Sequence, residues 1–136
     1  MVVDYAHTPD ALQRTLECAR ELCAGKLSVV FGAGGERDQA KRPMMGEAAR
    51  VADRVFLTSD NPRSEDPKAI ANAIHGGLVG HAGVELVLDR SEAITRAIRD
   101  AAREDVVVIA GKGHESEQQI GAEIRHFSDR EVARNA

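Results

Sequence analysis

The sequence predicts an α/β fold: a Rossmann-like, mostly parallel sheet flanked by helices on both faces, with a C-terminal antiparallel hairpin. Two observations lead to this prediction. Apolar runs typical of strands alternate five times with segments that have helical apolar spacing. The last of these runs, residues 106–110, is apolar at every position, which is typical of a parallel strand covered on both faces.

The first predicted elements are a strand, a helix and a second strand. Residues 1–4 begin with an apolar, β-branched run, and Thr8-Pro9-Asp10 is a helix-start signal with proline near the first turn. Helical apolar spacing covers residues 11–23, Gly25 ends the helix, and residues 27–31 form a buried strand. Because the chain begins inside a strand, we expect it to be a domain cut from a longer polypeptide.

The middle of the chain repeats this alternation. A polar loop over residues 32–42 leads to a predicted helix at residues 44–52 and a strand at 54–58. A second polar loop, residues 60–66, precedes a helix at 67–75 that two glycines close.

The C-terminal part continues the pattern and then changes it. A strand at residues 84–88, a strongly amphipathic helix at 91–103 and the strand at 106–110 come first. The last predicted elements are a hairpin around Gly121-Ala122 and a helix with a Ser-x-x-Glu capping box, at residues 118–120, 123–127 and 128–134.

The composition excludes several classes of function. With 136 residues and 43% hydrophobic content, the chain is expected to be one soluble domain. A formal charge of −4 and 3% aromatic residues argue against nucleic acid as a partner. No apolar stretch is long enough to cross a bilayer and no signal peptide is present, so we expect a cytoplasmic protein with no membrane partner.

Three polar loops directly follow strands of the predicted sheet. They cover residues 32–42, 60–66 and 111–117. Because the carboxyl ends of parallel strands lie at one edge of a sheet, where ligands bind in such folds, we expect the three loops to share one rim.

The loop motif Asp60-Asn61-Pro62-Arg63 predicts a site for a small zwitterion. Arg63 offers a planar fork to a carboxylate, and Asp60 can accept a hydrogen bond from an ammonium group. Pro62 fixes its own φ and favours an extended conformation at Asn61. The alternative interpretation is an ordinary turn with charged residues.

The first polar loop contains glycines followed by dense charge. It does not match the dinucleotide fingerprint, because Arg37 stands where the last glycine of that motif is required. It does not match the P-loop either, because the Gly-Lys-Ser/Thr of that motif is missing. We interpret it as a flexible backbone that presents Arg37 to an anion, with Lys41 and Arg42 solvated or docked against a neighbouring domain. A charged surface loop is the equally open alternative.

The third loop follows the most hydrophobic strand. Its glycines, Gly111 first, allow a ligand to approach the backbone, and Glu115 can accept from an ammonium group. His114 is ambiguous between a structural residue and a base. The sequence shows no catalytic nucleophile and no metal-ligand spacing of histidines.

Together, the candidate residues complement an amino acid that carries carboxylate and ammonium groups. These residues are Arg37, Asp60, Asn61, Arg63 and Glu115. Two other hypotheses stay open on the residues alone: a stand-alone Rossmann-like small-molecule binding module, and a small Rossmann-like enzyme that acts on a phosphorylated ligand through the first loop.

Six motifs also occur in the order and register of one known family, over essentially the whole chain. They are Asp4-Tyr5-Ala6-His7-Thr8-Pro9-Asp10, Gly34-Gly35-Glu36-Arg37-Asp38, Lys41-Arg42-Pro43, Asp60-Asn61-Pro62-Arg63, Gly111-Lys112-Gly113-His114-Glu115 and His126-Phe127-Ser128-Asp129-Arg130-Glu131. On these motifs the chain resembles the C-terminal domain of a Mur ligase.

The resemblance implies an ATP-dependent ligase of three domains that joins an activated carboxylate to an amine. Residues 1–136 would be the third, amino-acid-binding domain, without the UDP-sugar domain and the central ATPase domain. ATP and Mg²⁺ would be bound mainly by the missing central domain, so the chain alone is expected to be inactive. Its partners would be its own missing domains, the amino acid and a UDP-N-acetylmuramoyl dipeptide.

Within the family, the Asp-Asn-Pro-Arg motif resembles the element that selects meso-diaminopimelate over lysine. The resemblance therefore implies addition of meso-diaminopimelate to UDP-N-acetylmuramoyl-L-alanyl-D-glutamate in peptidoglycan synthesis. By motif position, the implied substrate-binding residues are Arg37, Asp60, Asn61, Pro62, Arg63, Gly111 and Glu115. The resemblance also implies that Asp4 reaches the ATP ribose, with Tyr5 and His7 as neighbours, although Asp4 could equally be a strand-end residue with no ligand.

Overall fold

The computed structural model describes residues 2–35, 39–113 and 115–136. Two residues considered above, Arg37 and His114, lie outside the described residues.

A five-stranded sheet forms the centre of the fold. Its strands are β1 (Val2–Val3), β2 (Leu27–Phe31), β3 (Arg54–Leu57), β4 (Val84–Leu86) and β5 (Val106–Ile109). They lie in the order β1-β5-β2-β3-β4, and each neighbouring pair is parallel. The predicted parallel sheet is confirmed, and its carboxyl ends lie at a single edge.

Helices cover both faces of this sheet, as predicted. They are α1 (Pro9–Leu22), α2 (Lys41–Ala48, continued by a 3₁₀ turn over Ala49–Val51), α3 (Pro67–His75), α4 (Arg90–Arg99) and α5 (Asp129–Asn135). Val29 and Phe31 of β2 pack with residues of α1, α2 and α3 on one face. Val30 packs with residues of α4 and α5 on the other face. Because neighbouring strand residues point to opposite faces, β2 is buried throughout.

The C-terminal hairpin forms a separate two-stranded sheet. Its strands, β6 (Glu117–Ile120) and β7 (Glu123–His126), pair antiparallel across a turn in which Gly121 has a φ of +61°. An isolated β-bridge pairs Ile120 of the hairpin with Arg63, which lies outside the strands of the sheet. The hairpin is therefore attached to the loop after β3.

Two helices differ from the prediction at one end. Helix α2 begins at Lys41, three residues before the predicted start, because the missing N–H of Pro43 falls in the first turn, where a helix needs no donor. Helix α4 ends at Arg99 instead of residue 103. The carboxylate of Asp105 accepts a hydrogen bond from the Ala102 N–H (2.8 Å), and this turns the chain toward β5.

The capping box at the last helix is only half formed. Ser128 Oγ accepts from the Glu131 N–H at 3.4 Å, as the motif predicts. The Glu131 carboxylate instead contacts His126 Nε2 at 2.8 Å.

In the described part of the chain, no helix is long and apolar enough to cross a membrane.

A fully buried ion pair joins the sheet to the last helix. Arg90, in the first turn of α4, donates from Nε and Nη2 to the two carboxylate oxygens of Asp129, each at 2.7 Å. Its Nη1 and Nη2 also donate to the carbonyl oxygens of Ser59 and Ala110, each at 3.0 Å. Ser59 and Ala110 lie just after β3 and β5, so this side chain holds the ends of two strands beside α5.

Substitution of Asp129 by Ala should therefore destabilise the chain strongly. Removing one partner of a buried pair leaves an uncompensated charge, with an expected loss of about 3–5 kcal/mol in the free energy of unfolding. Urea denaturation measures this loss. The matched control is Glu92→Ala, which removes the exposed pair with Arg96 (2.8 Å) and should cost less than about 1 kcal/mol. Equal losses in the two variants would contradict the assignment.

The carboxylate of Asp53 predicts a loss of stability in acid. Burial raises the pKa of this carboxyl, but the Leu27 N–H (2.8 Å) and the Arg20 guanidinium (3.0 Å) lower it, and the net pKa lies below its usual value of 3.8. A lowered pKa stabilises the folded state above pH 3.8, and the contribution disappears as pH falls through the folded-state value.

We therefore expect Asp53→Asn to show a smaller fall in the free energy of unfolding between pH 5 and about pH 2 than the wild-type chain. Denaturation series at several pH values measure it. Asp10→Asn, at an exposed pair with Arg14, is the control that should keep the wild-type slope. An unchanged slope for Asp53→Asn would show that its hydrogen bonds do not persist in solution.

Candidate functional site

The three polar loops meet at the carboxyl edge of the sheet. The Gly35 N–H donates to the Asn61 carbonyl at 2.7 Å, which joins the first loop to the second. Lys112 Nζ donates to Asn61 Oδ1 at 3.1 Å, which joins the third loop to the second. A cavity of about 480 Å³ opens between them and is lined by residues of all three. The expectation of a shared rim is confirmed.

The contact between the first two loops requires glycine at position 35. A Cβ at this position would lie 1.8 Å from the Pro62 carbonyl oxygen, far inside any van der Waals distance. Pro62 itself is buried. The backbone of the Asp-Asn-Pro-Arg motif at Pro62 therefore lies directly against the first loop.

Arg63 has a backbone conformation that is rare for a residue with a side chain. Its φ is +52°, in the left-handed region. Its N–H donates to the Gln119 carbonyl at 3.2 Å, and its carbonyl accepts from the Gly121 N–H. Both partners belong to the hairpin, so the hairpin stabilises this conformation.

The Arg63 side chain lines the cavity. Nη1 donates to the Gly35 carbonyl at 2.8 Å and to the Asn61 carbonyl at 3.4 Å. Within the described residues, Nε and Nη2 have no hydrogen-bond partner. The guanidinium is held at one nitrogen and keeps other donors for an anion.

The Asn61 side chain has a defined orientation. Its Oδ1 accepts from Lys112 Nζ (3.1 Å) and from the Gln119 N–H (2.9 Å). Because the oxygen faces these two donors, the NH₂ group is the part of the amide that remains for the cavity. Asp60 contributes a carboxylate oxygen, Oδ1, that lies 3.3 Å from Lys112 Nζ.

The third loop brings Gly111 and Glu115 to the same cavity. Gly111 has a φ of +108°. Glu115 is half-buried, and its N–H donates to the Lys112 carbonyl at 2.9 Å. No residue in the described part of the chain binds the Glu115 carboxylate. Glu115 therefore presents an unpaired anion to the cavity.

The three residues proposed for ATP lie at the start of the chain. Tyr5 and His7 line the cavity, and their rings pack edge to face with centroids 5.2 Å apart. The Asp4 carboxylate accepts from the Tyr5 N–H (2.8 Å) and from Thr15 Oγ1 (2.7 Å). Its role toward ATP stays a prediction.

One expectation for the first loop is wrong. Arg42 is neither solvated nor available to a neighbouring domain: it is 4% exposed and forms a bidentate pair with Glu65, both distances being 2.9 Å. Its Nη2 also donates to the Gly34 carbonyl at 3.3 Å. Arg42 therefore joins the first loop to the second at the lining of the cavity. Lys41, by contrast, is exposed.

Four buried charged residues of this region were not identified from the sequence as structural supports. They are Arg42, Arg90, Lys112 and Asp129. One weak signal was available for Arg90: a cation in the first turn of a helix opposes the helix dipole, and an anionic partner offsets this cost. Within the ranges 2–35, 39–113 and 115–136, no cluster of His, Cys, Asp and Glu is placed to hold a metal ion.

The charged and polar groups at the cavity would complement a zwitterion. Donors of Arg63 and Asn61 suit a carboxylate, and the Glu115 carboxylate suits an ammonium group. The Arg63 and Asn61 side chains are held by hydrogen bonds before any ligand binds, which reduces the cost of ordering them.

Comparison with known proteins identifies the family. Residues 1–113 match the family described as "Mur ligase, glutamate ligase domain". The chain is 54% identical, over its whole length, to a UDP-N-acetylmuramoyl-L-alanyl-D-glutamate–2,6-diaminopimelate ligase of Thermosynechococcus vestitus, and 53% identical to the ligase of that name from Pseudomonas putida. It spans about 28% of the length of each of these relatives.

A solved structure agrees with the sequence comparison. A UDP-N-acetylmuramoyl-L-alanyl-D-glutamate–2,6-diaminopimelate ligase superimposes on 98% of this chain with a TM-score of 0.92 and 46% identity, and the match covers 28% of that protein. The parallel sheet, its two layers of helices and the hairpin are thus shared with a solved ligase. Since the family match covers residues 1–113 of a chain of 136 residues, the chain belongs to the Mur ligase family.

Proposed function

We propose that this chain is the amino-acid-binding domain of an ATP-dependent ligase that adds meso-diaminopimelate to UDP-N-acetylmuramoyl-L-alanyl-D-glutamate in cytoplasmic peptidoglycan synthesis. The observation that carries this proposal is the Arg63 guanidinium, which lines the cavity and keeps donors that no described residue uses. The names of the relatives, at 53–54% identity, support it.

The Arg63 guanidinium distinguishes diaminopimelate from lysine. Diaminopimelate carries a second carboxylate at its far end, whereas lysine has only an ammonium group there. A guanidinium that has lost water on binding needs an anionic partner, and lysine would leave it unpaired. The Asn61 NH₂ group supplies a further donor to a carboxylate.

The remaining proposed contacts have separate roles. Glu115 binds an ammonium group of the ligand, and Gly111 allows the ligand to approach the backbone. Asp60 lines the cavity and faces the ligand. Pro62, which was expected to bind the ligand as well, is buried and does not line the cavity, so its role is to hold the loop in place. Arg37, which lies outside the described residues, is proposed to bind a carboxylate.

ATP and Mg²⁺ belong to the proposal as cofactors of the full-length ligase, bound mainly by its central domain. ATP supplies the phosphoryl group that activates the terminal carboxylate of the UDP-sugar dipeptide. From this chain, Tyr5 and His7 would contact the nucleotide, since both line the cavity. Each Asp4 oxygen has one protein donor and retains a lone pair for a ribose hydroxyl.

The contribution of this chain to the reaction is to orient the amine. The unprotonated amine nitrogen of diaminopimelate attacks the carbonyl carbon of the acyl phosphate. The C–N bond forms, the C–O bond to phosphate breaks with its electron pair going to phosphate, and the nitrogen releases one proton to solvent. Holding the amine against its target through Arg63, Asn61 and Glu115 makes the attack effectively intramolecular, which can lower the barrier by roughly 7 kcal/mol or more.

Substitution of Arg63 by Ala in the full-length ligase should weaken use of diaminopimelate selectively. We expect KM for meso-diaminopimelate to rise at least about 30-fold, equivalent to about 2 kcal/mol for a lost charge-assisted contact. Steady-state kinetics with each substrate varied in turn measures this. The control is Arg14→Ala, at an exposed surface pair, which should keep the wild-type KM. An unchanged KM for Arg63→Ala would remove Arg63 from the site.

Substrate choice tests the proposal as a whole. The wild-type ligase should use meso-diaminopimelate well and L-lysine poorly, and Arg63→Ala should reduce this preference. Calorimetry of the wild-type protein should give heat with diaminopimelate and little with lysine or NAD. Equal heats for diaminopimelate and lysine would overturn the proposed specificity.

A further inference from the structure

Lys112 is a fully buried cation directly behind the cavity. Its side chain has 0% exposure. Its Nζ donates to Asn61 Oδ1 at 3.1 Å and to the Glu117 carbonyl at 2.9 Å, and lies 3.3 Å from Asp60 Oδ1. An ammonium group has three N–H donors and no acceptor, and two of them are used by Asn61 and Glu117. The contact with Asp60 is an ion pair without a hydrogen bond, since Asp60 Oδ1 has no hydrogen-bond partner among the described residues. The Asp60 carboxylate compensates its charge.

These contacts determine which atom of the Asn61 amide a ligand meets. An amide can present either its oxygen or its NH₂ group, and a 180° rotation exchanges them. Lys112 Nζ and the Gln119 N–H both donate to the oxygen. The rotated amide would place its own NH₂ group against these two donors and lose both hydrogen bonds. The oxygen therefore faces inward.

The NH₂ group is left for the cavity. Within the described residues it has no hydrogen-bond partner, and Asn61 lines the cavity beside Arg63. An amide NH₂ group can donate to an acceptor, but it offers no acceptor to the N–H donors of an ammonium group. This part of the site therefore suits a carboxylate oxygen and disfavours an ammonium group.

We propose that Lys112 is a positioning residue that fixes the Asn61 amide with its NH₂ group toward the cavity, so that this part of the site accepts a carboxylate and rejects an ammonium group. The inference rests on the proposed function. It adds a specificity-determining residue that does not touch the ligand and acts through Asn61.

The first test is Lys112→Met in the full-length ligase. We expect KM for meso-diaminopimelate to rise at least about tenfold, the effect of losing one oriented hydrogen bond to a charged group, while KM for ATP is unchanged. A merely structural role would lower the yield or the thermal stability without a selective change in KM. Lys68→Met, which removes an exposed lysine, is the matched control and should behave as wild type.

A double-mutant cycle tests whether Lys112 acts through Asn61. In an Asn61→Ala background, Lys112→Met should raise KM for diaminopimelate no further, because the amide that Lys112 orients is gone. Independent, multiplying effects of the two substitutions would overturn the proposal.

Asn61→Asp keeps the inference falsifiable if Lys112→Met does not fold. The aspartate still accepts from Lys112, so the protein should fold, but it presents an oxygen where the NH₂ group was. We expect KM for diaminopimelate to be higher in Asn61→Asp than in Asn61→Ala. The aspartate repels the ligand carboxylate, whereas the alanine only removes a contact. A KM equal to or below that of Asn61→Ala would show that the amide oxygen faces the ligand, and would overturn the orientation.

The wild-type assay separates this inference from the proposed function. If the wild-type ligase does not use meso-diaminopimelate, the proposed function and this inference both fail. If it does, and Lys112→Met keeps the wild-type KM, only the role of Lys112 is overturned.

Discussion

The buried guanidinium of Arg90 is the contact on which the geometry of the cavity depends. It donates to the carbonyl oxygens of Ser59 and Ala110 and to both oxygens of Asp129. The second and third polar loops begin at the residues that follow Ser59 and Ala110. The rigid fork of one side chain thus fixes where both loops leave the sheet, and α5 supplies the charge that makes its burial possible.

The charges around Arg90 form a continuous set that extends to the cavity. Burial lowers the pKa of Arg90, but the hydrogen bonds and charge of Asp129 raise it, as do the charges of Asp60 and Glu115, and the net shift is upward. Asp129 compensates Arg90, and Asp60 compensates Lys112. Among the described residues, the Glu115 carboxylate and the Arg63 guanidinium both line the cavity and keep capacity for a ligand. A ligand that carries both an ammonium group and a carboxylate would complement these two charges.

The sequence was sufficient to predict the order of the helices and strands, but not the buried charged residues that support the site. The parallel sheet follows from buried apolar runs, and the shared rim follows from the geometry of parallel strands. The burial of Arg42 and Lys112 could not be deduced in the same way, because both depend on partners from distant loops, 23 and 51 residues away. Local pattern reports whether a residue is charged. Whether that charge is solvated depends on tertiary contacts, which leave no periodic pattern in the sequence.

The hairpin explains why the site cannot be understood from the sheet alone. It is attached to the second loop by hydrogen bonds to the Arg63 backbone. In addition, the Gln119 N–H donates to the Asn61 side chain, and Gln118 Nε2 donates to the Asp60 carbonyl at 2.9 Å. Arg63 has a positive φ, a conformation that persists only when surrounding contacts compensate for its cost. The sheet places the loop at the rim, but hydrogen bonds from the hairpin give Arg63 and Asn61 their final orientation. The geometry of the candidate site therefore depends on a two-stranded element that contributes little to the hydrophobic core.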